Sequence, residues 1–205
     1  MKNSKDSSQP CNRQRRTAVF TLMFAGLGIA LCDVTNVANA HALVGPVRPP
    51  LSLPAIKVVR HDGSSASLPE LLHGKVTALQ FMFTGCSQTC PLQGALFAAI
   101  QQKLPRNLES SVQLISISID SLGDDPRALS AWLRQFSAAP NWIAAVPSAA
   151  DLERLRAALQ QNNDARDNHT GQVFVINREG LLVWATEDLP PVEVVLRQLI
   201  NVART

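Results

Sequence analysis

The stretch Cys86-Ser87-Gln88-Thr89-Cys90-Pro91 directly follows the apolar run Val76 to Phe83 and opens a helical pattern that extends to Leu104. A run that is apolar at nearly every position reads as a strand covered on both faces. Proline is suited to the first turn of a helix. The two thiols therefore fall at the carboxyl end of a buried strand and the amino end of a helix, where sulfur is most easily made anionic. Thiolates in that position can exchange with disulfides or hold a soft metal ion such as copper(I).

The first forty residues read as an export signal. Lys2, Lys5, Arg13, Arg15 and Arg16 form a basic segment, Ala18 to Leu31 is apolar, and Ala38-Asn39-Ala40 offers a small-x-small cleavage site. The apolar run has 14 residues, short of the roughly 20 that cross a bilayer, so cleavage is expected, with an uncleaved membrane anchor as the alternative. Five of the 19 Lys and Arg and two of the 16 Asp and Glu lie in this leader, so the remainder is formally neutral. The basic excess thus gives no argument for nucleic-acid binding. Cleavage after Ala40 leaves 165 residues, enough for one domain, and leaves Cys86 and Cys90 as the sole thiol pair. It would also expose the α-amino group of His41 beside its imidazole, a pair able to bind copper(II).

Residues 41–55 contain Pro46, Pro49, Pro50 and Pro54 and read as an extended arm ahead of a domain spanning 56–205. Within it, Ile56 to Val59 reads as a short strand, Leu68 to Leu72 as a helical turn, and Val112 to Ile119 as a second buried strand ending at Asp120. Asp125-Pro126 opens a helix with Leu129, Trp132, Leu133 and Phe136 on one face. Ser148 caps another helix. A polar stretch from Gln161 to Thr170 leads to a strand at Gln172 to Ile176, a hairpin through Asn177-Arg178-Glu179-Gly180 to Leu181 to Ala185, and a last helix after Pro190-Pro191. This order predicts a single-domain α/β sandwich with a mixed sheet, as in the thioredoxin fold.

Phe83-Thr84 ahead of Cys86, the three residues between Cys86 and Cys90, Pro91, and His169-Thr170 shortly before a strand together resemble the Sco/SenC family of copper-handling proteins, over about residues 50 to 202. The resemblance implies a thioredoxin-like fold and copper bound by Cys86, Cys90 and His169. It also implies a role in assembling the copper site of cytochrome oxidase, whose copper-bearing subunit or another copper protein would be the partner. Where family members commonly place proline and an acidic residue between the cysteines, this chain has Ser87 and Gln88. Where they place aspartate before the histidine, it has Asn168.

Two thiolates and one imidazole suit copper(I), whereas structural zinc usually takes four closed ligands. The competing expectation is a thiol:disulfide oxidoreductase whose redox pair is Cys86 and Cys90 and which exchanges with a partner thiol reductase. Peroxide reduction on the same fold fits less well, since Thr84 stands two rather than three residues before Cys86. Asp120 reads as a turn or helix cap near the strand end, and His61 and His73 as solvated turn residues. The chain is expected to be a monomer in the periplasm or another extracytoplasmic space, tied to the inner membrane if the leader is kept.

Overall fold

The computed structural model describes residues 43–159 and 170–205. The expected leader, His41 and His169 lie outside the described residues. Among the described residues, eight strands form one mixed sheet: β1 (Gly45–Ser52), β2 (Lys57–Arg60), β3 (Ser65–Ser67), β4 (Val76–Met82), β5 (Val112–Ser118), β6 (Trp142–Pro147), β7 (Phe174–Ile176) and β8 (Leu181–Ala185). Five helices accompany them: α1 (Leu68–Leu72), α2 (Thr89–Lys103), α3 (Pro126–Gln135), α4 (Ala149–Ala158) and α5 (Val192–Ala203). The strand order is β1-β8-β7-β4-β5-β6-β2-β3, with β4, β5 and β6 parallel at the centre. The expected α/β sandwich with a mixed sheet is the fold that forms.

Alternation along the central strands explains the two layers. Val76, Ala78 and Met82 of β4, with Val112 and Leu114 of β5, share a core with residues of α2, α3 and α5. Leu79 and Phe81 of β4, with Ile115 and Ile117 of β5, share the other core with residues of α1 and α4. Capping matches the sequence. The Asp125 carboxylate accepts the Ala128 N–H at 2.7 Å at the start of α3, and the Ser148 hydroxyl accepts the Asp151 N–H at 3.2 Å at the start of α4.

Three elements differ from expectation. β6 was not anticipated, because Trp-Ile-Ala-Ala-Val-Pro shows no alternation and includes two alanines of weak strand preference. Its strand state comes from pairing with β5 and burial of every residue. β3, three residues long, is defined by pairing with β2. The proline-rich segment is not separate from the sheet, since Gly45–Ser52 pairs with β8 as edge strand β1. An edge strand tolerates Pro46, Pro49 and Pro50 because one side of its backbone needs no ladder donor.

Candidate metal and thiol site

β4 and β5 are in register to their last residues, Met82 opposite Ser118, so the loops leaving them start side by side at one end of the sheet. In open α/β sheets the carboxyl ends of parallel strands are where ligands bind. The first loop is pinned by Asp124. Its buried carboxylate accepts the Thr84 backbone N–H at 3.1 Å, the Thr84 hydroxyl at 2.5 Å and the Ser118 hydroxyl at 2.6 Å. Thus a residue of the second loop fixes the one that carries Cys86.

α2 starts two residues before Pro91, which places Cys90 in its first turn. The residue preceding it, Gln88, makes no side-chain cap. The acceptor at this helix end is sulfur: the Cys90 N–H donates to Cys86 Sγ at 3.4 Å. Both cysteines are free thiols, Cys86 half-buried and Cys90 buried.

Their electrostatics diverge. Burial alone would push the Cys86 thiol up, but the Cys90 N–H, the Cys90 thiol and the N–H groups of Gln88 and Thr89 together hold it below the usual thiol range. These are the unsatisfied donors of a helix amino end, which favour an anion. Cys90 is pushed up to about 12, chiefly by burial; the Phe83 backbone opposes the rise, while hydrogen bonding to Cys86 and the charges of Cys86 and Asp124 add to it. The pair therefore has one half-buried, easily ionised sulfur backed by a buried, protonated one.

β7 runs antiparallel to β4, pairing Phe174 with Leu79, so the segment entering β7 comes from the same sheet end as the Cys86 loop. Gln93, one turn along α2 from Cys90, donates its Nε2 to the Thr170 carbonyl at 2.9 Å. His169 precedes Thr170 in the chain but lies outside the described residues. Among those residues no group of three or more His, Cys, Asp or Glu is arranged to hold a metal ion. The two sulfurs are brought together at the amino end of α2.

Asp120 behaves as a cap, its carboxylate accepting the N–H groups of Leu122 at 3.3 Å and Gly123 at 2.8 Å. His73 ends α1, and His61 is half-buried, with Nδ1 3.4 Å from the Ala144 carbonyl. Trp132 and Trp142 are core residues, as expected. Sequence reasoning did not single out Gln93 or the pin made by Asp124. A signal for Gln93 existed, because a polar residue three positions after Cys90 falls on the face shared by Cys90, Gly94 and Phe97.

The family profile described as SCO1/SenC matches residues 54–204. A Stutzerimonas stutzeri protein named for copper binding is 25% identical over 161 residues, 73% of this chain and 78% of that one. Among solved structures, a SCO1/SenC family lipoprotein from Bacillus anthracis has a TM-score of 0.65 at 24% identity, covering 77% of this chain and 99% of that one. Arabidopsis thaliana ScoI with copper bound has a TM-score of 0.63 at 21% identity, covering 74% and 98%. These structural likenesses establish the shared thioredoxin-like fold. The profile match across most of its length shows that this chain belongs to the SCO1/SenC family.

Proposed function

We propose that this chain is an exported copper chaperone that carries copper(I) between the thiolates of Cys86 and Cys90 and the imidazole of His169, and delivers it to the copper site of cytochrome oxidase. The observation that carries the reading is the Cys86 sulfur at the amino end of α2, accepting the Cys90 N–H at 3.4 Å with its thiol held below the usual range. A soft cation favours such sulfur, and copper(I) is content with three ligands of mixed sulfur and nitrogen. Copper also offsets the burial that keeps Cys90 protonated, because a bound metal ion favours the thiolate form of its ligand. The copper in the Arabidopsis relative's structure and the name of the Stutzerimonas relative support this choice of ion. The lipoprotein description of the Bacillus relative supports an extracytoplasmic site, periplasmic or held at the inner membrane.

Competition between the reduced protein and a copper(I) chelator tests the ligand set. His169→Ala weakens copper binding while leaving the Cys86–Cys90 disulfide able to form; unchanged affinity would remove His169 from the set.

A second reading is favoured by the asymmetry of the thiols. As a thiol:disulfide oxidoreductase, the Cys86 thiolate attacks a client disulfide, forming a mixed disulfide and releasing one client thiolate. Cys90 then loses its proton and attacks Cys86 Sγ, forming the Cys86–Cys90 disulfide and releasing the second client thiolate. The client is reduced by two electrons, and a partner thiol reductase restores the pair. The activities can share one site, because only the reduced pair offers thiolates to copper.

A further inference from the structure

Gln93 sits where α2 would ordinarily place an apolar side chain. It is 1% exposed and shares the buried face with Cys90 and Phe97. A buried amide is retained at such a place only with partners, and its Nε2 donates to the Thr170 carbonyl at 2.9 Å. The opposite side of the same segment is tied to the turn after β8. Asp188 Oδ1 accepts the Thr170 hydroxyl at 3.1 Å and the Gly171 N–H at 3.0 Å, and the Leu189 N–H donates to the Gly171 carbonyl at 3.1 Å. There is no room for a side chain at Gly171, where an added Cβ would come within 2.8 Å of the Leu189 backbone nitrogen. Thr170 and Gly171 are thus clamped between α2 and the 188–189 turn, and Gln93 is the link to the helix that carries Cys90.

We propose that Gln93 is a positioning residue that indexes the His169 segment to the thiol pair. The inference rests on the reading of His169 as a copper ligand. One peptide bond separates His169 from Thr170, so the anchoring of the Thr170 carbonyl limits where the preceding residue can go. A ligand held in place in advance binds without the ordering cost that a free loop would incur. Groups that hold a metal ligand in place typically change affinity by about 10- to 100-fold when removed.

The test is a double-mutant cycle in copper(I) affinity, read by chelator competition, with X-ray absorption on each loaded protein. Gln93→Met keeps the volume and removes the donor. It is expected to weaken copper(I) by about 10- to 100-fold and to reduce the nitrogen contribution to the copper shell, with both sulfurs retained. In a His169→Ala background the same change should have almost no further effect, because its route to copper is gone. Should Gln93→Met fail to fold, Gln93→Asn, whose amide is one methylene too short to reach Thr170, carries the same expectation. Equal losses with and without His169 would show a merely structural role and overturn the proposal, as would an unchanged affinity in Gln93→Met. If His169→Ala alone left affinity untouched, the ligand reading itself would fail, an outcome distinct from the other two.

Discussion

At the residue scale, two cysteines four positions apart differ because one faces a ring of N–H donors and the other is buried behind it. In the reduced, metal-free protein, Cys86 alkylation should reach half its maximal rate below the usual thiol midpoint, since its folded ionisation is depressed. Cys90 should stay nearly inert through neutral pH, its ionisation rising only toward about 12. Alkylation with mass mapping across pH checks both, and comparable rates at the two cysteines near pH 7 would contradict the asymmetry. Asp124 has a separate role, as the acceptor for Thr84 and Ser118. Asp124→Ala removes the acceptor of the buried Ser118 hydroxyl and of half-buried Thr84, at a cost of about 1–3 kcal/mol. The expected result in thermal denaturation is a lower Tm, together with reduced selectivity for Cys86 in alkylation.

At the element scale, α2 meets the end of α3 through a missing side chain. A Cβ on Gly94 would overlap the Phe136 ring, and that ring packs against Trp132 with centroids 5.0 Å apart. Alanine is the better helix former by about 1 kcal/mol, yet Gly94→Ala should destabilise the domain by about 1–3 kcal/mol because overpacking outweighs propensity. Denaturant unfolding decides the sign. The helices and central strands were legible because their apolar periods and caps are local: Asp125-Pro126 opens α3 and Ser148 caps α4 as the sequence indicates. β6 was not, since two alanines and a terminal proline carry no strand signal, and only the neighbouring β5 supplies one. The same holds for β1, whose prolines read as an arm until β8 is there to pair with it.

At the scale of the whole molecule, the site is a product of topology. Parallel β4 and β5 end together, and antiparallel β7 begins opposite Leu79 in the middle of β4, its entering segment coming from the carboxyl end of that strand. One sheet end therefore receives the Cys86 loop, the Asp124 loop and the chain following His169. The thiol pair was legible from spacing and from its strand-to-helix setting. Gln93 and Asp124 were not identified, because their roles depend on contacts 77 and 40 positions away in the chain. The export reading belongs to this scale too. Mass spectrometry of protein recovered from an extracytoplasmic fraction should find the chain beginning at His41, whereas an intact Met1 there would favour the retained anchor.

The proposed function turns on one copper(I) ion held by Cys86, Cys90 and His169. Anaerobic titration of the reduced protein with copper(I) against a competing chelator, followed by X-ray absorption on the loaded sample, tests it most directly. The expected result is a single tightly held ion bound by two sulfurs and one nitrogen. No binding, or a shell of sulfur alone, would contradict it, and the absence of binding would leave disulfide exchange as the work of the pair.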